Sequence, residues 1–208
     1  MRPTCIAIDF DGTLAYFKGG YDQLFAIFTR RGVDNSIVRE SYEQSKREGG
    51  FTITRLMKIV AERTSRSFDD EAINGEFADW LGRSLVPCAE AALVLTVWRD
   101  VGIPVVILTS GDMDYQAQKV HATRLPHDDL IVVAHEAGKI EALRALLERY
   151  GPPILFVEDR PYVLDLVREE GLTPAEVRTV RVLRPESPYV REKSLYVHET
   201  VHAVAVLW

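Results

Sequence analysis

Two cysteines in 208 residues, Cys5 and Cys88, are too few for a disulfide framework. No signal peptide precedes Cys5, so a reducing cytoplasm is the expected compartment. Long hydrophobic runs are missing as well: the longest largely apolar stretch, Ala91 to Trp98, is far too short to span a bilayer, and no membrane partner is expected. No basic run exceeds two residues. With 25 Lys and Arg against 31 Asp and Glu, the formal charge is -6 and the pI near 5.4, which argues against a nucleic-acid footprint. Small anionic substrates stay compatible with that charge, because a bound metal and a few cations can invert the field locally. The chain shows no internal repeat or low-complexity tract.

What is present is ordinary globular material, 47% hydrophobic and 27% charged, enough for one domain with a sizeable insertion. Cys5 to Ile8 is an apolar run that reads as a buried strand. From Pro87 onward helix and strand alternate. Helices are expected over Cys88 to Asp100, Met113 to Arg124, Lys139 to Tyr150 and Tyr162 to Glu170. Strands are expected over Ile103 to Leu108, Leu130 to Ala134, Ile154 to Val157 and Val177 to Leu183. Short apolar strands between helices imply a doubly wound parallel sheet of about five strands in an α/β fold. Residues 16–85 break the rhythm with four amphipathic helices and read as a helical insertion. The core is then 1–15 with 86–208. Ser194 to Trp208 fits either a terminal helix or an added strand.

In such a sheet ligands bind outside the carboxyl ends of the strands, so the polar residues found there matter most. The first strand delivers Asp9 and Asp11, which emerge on one side because side chains alternate, while Phe10 turns toward the core. Two like charges held together need a cation, and an oxygen-loving divalent metal, Mg²⁺ before Ca²⁺, suits so few protein ligands. The strand ending at Leu108 delivers Thr109, Ser110 and Gly111, two hydroxyls and backbone N–H groups suited to phosphate oxygens. The strand ending at Val157 delivers Glu158 and Asp159. Lys139 opens a helix between them. Singly, each has a bland alternative: a turn at Asp11-Gly12, a helix cap at Thr109 or Ser110, a solvated lysine, a helix start at Glu158-Asp159. Their concurrence at the ends of one sheet favours a site.

In order and spacing, Asp9-Phe10-Asp11-Gly12-Thr13, Thr109, Lys139 and Glu158-Asp159 resemble the four motifs of the haloacid dehalogenase-like (HAD) hydrolase superfamily, and the helical insertion resembles its C1 type of cap. The resemblance implies a Mg²⁺-dependent phosphatase acting on a small phosphorylated metabolite. Asp9 would be the nucleophile that forms an aspartyl-phosphate, and Asp11 the general acid and then base, with a backbone carbonyl also reaching the metal. Thr109, Ser110, Gly111 and Lys139 would hold the phosphate, with Thr109 or Ser110 as the second motif. Asp9, Asp11, Asp159 and Glu158 would hold the metal. The Glu-Asp pair stands where many members have Gly-Asp or Asp-Asp. Asp165, six positions beyond Asp159, reads as structural.

Within the superfamily, dehalogenases and phosphonatases lack an acid where Asp11 stands, so the resemblance disfavours both reactions. A phosphomutase remains open. A phospho-acceptor domain and a non-catalytic binding module are alternatives from other classes; the Asp-x-Asp-Gly-Thr form and the filled catalytic positions argue against them. Substrate choice is expected to fall to the insertion, with Lys18, Tyr21 and Arg47 as specificity candidates beside glycine-rich loops. His121, His127, His135, His198 and His202 show no clustering suited to a metal and read as incidental.

Overall fold

The computed structural model describes residues 2–185 and 187–207. In chain order they form β1 (Cys5–Ile8), β2 (Ala15–Phe17), α1 (Asp22–Thr29), α2 (Asn35–Arg47), α3 (Ile53–Thr64), α4 (Asp70–Ser84), β3 (Leu85–Pro87) and α5 (Ala91–Asp100). Then follow β4 (Val105–Ser110), α6 (Met113–Thr123), β5 (Asp129–Val133), α7 (Gly138–Tyr150), β6 (Ile154–Glu158), α8 (Pro161–Glu169), β7 (Val177–Val182) and β8 (Glu199–Val201). No helix among the described residues is long and apolar enough to cross a membrane.

The chain divides into two units, Met1–Tyr16 with Pro87–Ser110 and Arg124–Trp208, and Phe17–Val86 with Gly111–Thr123. The first unit is a doubly wound α/β fold whose sheet runs β5-β4-β1-β6-β7-β8. All five neighbouring pairs are parallel. β1 is central and buried along its whole length, as a wholly apolar strand must be when helices cover both faces of its sheet. Cys5, Ala7, Val106, Leu108 and Phe156 pack with Leu143 and Leu146 of α7 and with Val163 and Val167 of α8. Each of the Val, Leu and Phe side chains contributes about 1.5–3 kcal/mol by leaving water. Strand order reverses across β1, with β4 on one side and β6 on the other, and this switch point sets the carboxyl ends of three strands side by side.

The ambiguous C-terminal segment supplies a sixth strand. β8 is three residues long, registers Val182 opposite Val201, and buries only Val201, too short a span for any period to be read. His198, expected to be incidental, is an anchor just before it, its side chain 1% exposed. Its ring joins Asp165 Oδ1 at 2.9 Å and Thr179 Oγ1 at 2.8 Å. Asp165 also accepts the N–H groups of Leu195 and Tyr196, so this acid ties the last segment to α8.

The second unit is helical. Its starts are capped by Asp34 on Ser36, Thr52 on Arg55 and Asp69 on Ala72, each side chain accepting an N–H that the first turn leaves unpaired. An aromatic cluster fills its centre: Trp80 stacks on Phe17 at 5.2 Å, and Phe51 meets Tyr115 of α6 edge-on at 4.9 Å. Those contacts explain why 111–123, assigned from sequence to the core with the rest of 86–208, groups with the helical unit.

Candidate active site

Everything at this site belongs to the α/β unit. The N–H of Asp9 donates to the Val157 carbonyl at 2.9 Å, so the β1–β6 ladder extends one residue past the strand and fixes the Asp9 backbone. The chain then turns sharply, Gly12 N–H donating to Ala15 O at 2.8 Å and Leu14 N–H to Phe10 O at 2.9 Å. Gly12 sits at φ +82°, and a Cβ there would overlap Asp159 Oδ2. Only glycine allows both the left-handed backbone and this approach.

β6 ends at Glu158, followed by the buried Asp159 and by Arg160 and Pro161, where α8 begins. Lys139, in the first turn of α7 and 1% exposed, spans the gap between strands. Its Nζ donates to Asp9 Oδ1 and Glu158 Oε2, both at 2.7 Å, and pairs with Glu136 Oε2 at 3.1 Å. Glu158 Oε1 accepts the N–H groups of Asp159 and Arg160, each at 3.1 Å. Both Glu158 oxygens are therefore engaged. Glu136 Oε1 accepts from Ser110 Oγ at 2.7 Å and from Arg160. Thr109, 1% exposed, and Ser110 stand at the end of β4. Asp11 is half-buried in the turn.

Burial and repulsion disturb these acids strongly. Burial, then the Glu158 charge, pushes Asp9 up to about 7 against the pull of Lys139. Burial likewise lifts Glu158 to about 7, with Lys139 opposing, and Asp159 to about 6, with the Asp9 charge adding. Burial alone would depress Lys139, but Asp9, Glu158 and Glu136 hold it well above its ordinary value, so it stays charged. Glu136 lies below its ordinary value because Lys139 and Arg160 outweigh its burial.

Four acids, Asp9, Glu136, Glu158 and Asp159, thus face two cations, Lys139 and Arg160. Asp9, Glu158 and Asp159 each bring a carboxylate oxygen within 4.8 Å of the others. Asp159 Oδ1 is buried with no hydrogen-bond partner, an arrangement that costs roughly 1–3 kcal/mol for a polar group, and more for a charge. Uncompensated charge and an orphaned hard oxygen fit a small divalent cation.

The family model for haloacid dehalogenase-like hydrolase matches residues 3–165. The chain belongs to that family. A search of curated proteins found no match. Among solved structures, this HAD-like hydrolase resembles a haloacid dehalogenase-like hydrolase from Burkholderia xenovorans LB400, with TM-score 0.69, 17% identity, and 98% of this chain and 94% of that one covered. It also resembles a defluorinating L-2-haloacid dehalogenase, with TM-score 0.63, 13% identity, and 98% and 92% covered. A further L-2-haloacid dehalogenase has TM-score 0.61, 13% identity, and 98% and 96% covered. At such identities the likeness is one of fold.

Of the residues named from sequence, this HAD-like hydrolase brings Asp9, Lys139, Glu158 and Asp159 into one cluster, with Ser110 joined to it through Glu136. Gly111 opens the 111–123 segment of the helical unit. Lys18 and Arg47 are exposed on that unit, whereas the Tyr21 ring packs against Tyr42 at 5.1 Å within its aromatic cluster. Sequence reasoning missed Glu136, although its i, i+3 spacing from Lys139 was a usable signal. It also missed Ser187, which donates to Asp159 Oδ2 at 2.6 Å from an irregular segment with no periodicity to mark it.

Proposed function

We propose that this HAD-like hydrolase removes phosphate from a small phosphomonoester with the help of Mg²⁺. The carrying observation is the orphaned, buried Oδ1 of Asp159 beside Asp9, in a cluster whose acids outnumber its cations. Asp11 supports the same reading, since the dehalogenase branch of the resemblance lacks an acid at that position.

Lys139 holds Asp9 Oδ1 and so presents the other oxygen of that carboxylate to phosphorus. In the first step a bond forms between Asp9 and phosphorus while the bond to the leaving alcohol breaks, and Asp11 protonates the departing oxygen. In the second, Asp11 takes a proton from water as the water attacks phosphorus, and the bond to Asp9 breaks. Thr109 donates to a phosphoryl oxygen, Ser110 holds Glu136 in place, and Lys139 offsets the charge on nucleophile and phosphate. When bound, the metal neutralises phosphoryl charge. Asp9, Asp159 and the backbone carbonyl of Asp11 would hold it, while Glu158 holds Lys139 and contributes charge.

The test is phosphate release from a panel of phosphomonoesters, including a generic aryl phosphate. Release that requires Mg²⁺ and is lost in Asp9→Asn is the expected result. Activity in Asp9→Asn equal to wild type would sink the assignment. Transfer of phosphate between positions of one substrate, without release, would move it to a mutase.

A further inference from the structure

Ser187 lies beyond β7, in none of the regular elements, yet it is buried and placed against an acid of the site. Its Oγ donates to Asp159 Oδ2 at 2.6 Å and accepts the Tyr189 N–H at 3.1 Å. A hydroxyl has one hydrogen. With Tyr189 occupying its acceptor side, that hydrogen is committed to Asp159.

The segment carrying Ser187 is itself anchored. Arg184 donates through Nε to the Thr13 carbonyl at 3.0 Å and through Nη2 to Glu90 at 2.7 Å. Ser187 N–H returns to Arg184 O at 3.0 Å. Arg184 therefore couples Ser187 to the turn that follows Asp9 and Asp11. On the other side, Gly12 packs so closely on Asp159 that no side chain could stand there. The carboxylate is held at Oδ2 by Ser187, with Gly12 leaving no room for a side chain beside it, and its second oxygen, Oδ1, is left buried without a hydrogen bond.

We infer that Ser187 is a positioning residue for cation binding: by holding Asp159 Oδ2 it fixes the carboxylate with Oδ1 directed to the metal. This rests on the metal-dependent reading of the site. Outer partners that orient a ligating group are typically worth about 10- to 100-fold in metal affinity.

The experiment is Mg²⁺ titration of the intact protein by calorimetry, below the unfolding temperature of every variant, without substrate. Ser187→Ala should raise the Mg²⁺ Kd by about 10- to 100-fold, and Ser187→Thr, which keeps the hydroxyl, should restore most of the affinity. Ser187→Cys, of similar size with a much weaker donor, should weaken binding too and serves if the alanine variant does not fold. A merely structural serine would lower thermal stability and leave the Kd of the folded protein unmoved. Equal Kd values for wild type, Ser187→Ala and Ser187→Cys would overturn the inference alone. A wild type that binds no Mg²⁺ would overturn the metal-dependent reading and the inference with it.

Discussion

Lys139 Nζ lies 2.7 Å from Asp9 Oδ1, across 130 residues of sequence, and the pair is almost wholly withdrawn from solvent. The same ammonium holds Glu158 at 2.7 Å. One cation thus links the start of α7 to the ends of β1 and β6 and opposes the burial that pushes both acids up to about 7.

Removing that cation leaves two buried carboxylates facing each other. Lys139→Met should destabilise the fold by about 3–5 kcal/mol, as breaking a buried pair does. Turnover should fall by about 10²-fold or more through the lost electrostatic help. Denaturant unfolding and steady-state kinetics check the two effects separately; a variant as stable as wild type would contradict the bridging role.

Asp11 lies half-buried in the turn that follows β1. Asp11→Asn keeps the shape and removes the proton carrier. Its kcat should fall by about 10²- to 10⁴-fold, with Mg²⁺ affinity close to wild type because only the backbone carbonyl of Asp11 is assigned to the cation. An unchanged kcat would remove Asp11 from the acid–base role.

Gly12→Ala meets two obstacles at once, a left-handed backbone at φ +82° and the carboxylate of Asp159. It should cost about 1–3 kcal/mol of stability and weaken Mg²⁺ binding, since the new methyl group must push Asp159 aside. Thermal unfolding and metal titration on the same sample measure both. Retention of full stability would show that the turn has room the structure does not.

Asp165 supplies a pH test on a group outside the reacting set. Burial pushes its carboxyl up, but the Leu195 N–H, the His198 ring and the Tyr196 N–H outweigh that and hold it below its ordinary value. The unfolded chain therefore takes up this proton at a higher pH than the native one. The stabilisation is present above the ordinary carboxylate range and is lost as pH falls through the native value. Asp165→Asn should lose about 1–3 kcal/mol near neutral pH, with the gap to wild type narrowing in acid. Urea midpoints across the acid range follow it; a gap that widens in acid would refute the sign.

The legible parts of the molecule were those with local causes. β1 and β6 announced themselves as apolar runs ending in acids, and the helix stops at Gly102, Gly151 and Gly171 marked their elements. Asp9, Asp11 and Asp159 followed from strand geometry. Lys139 was identifiable only by its order among the motifs, because nothing local distinguishes it from a solvated helix lysine. Ser187 acts through a partner 28 residues away, Glu136 joins Ser110 across 26 residues, and β8 pairs with β7 after a segment held by Asp165 and Thr179. Nothing local in α6 marks which unit its Tyr115 joins.

The central claim is that these acids serve metal-dependent phosphoryl transfer and not displacement of halide. Phosphate release from an aryl phosphate and halide release from a 2-haloacid, measured side by side on one preparation with Mg²⁺ or with a chelator, tests it most directly. The account predicts phosphate only, and only with Mg²⁺. Halide release that persists in the chelator, with no phosphate under either condition, would contradict it.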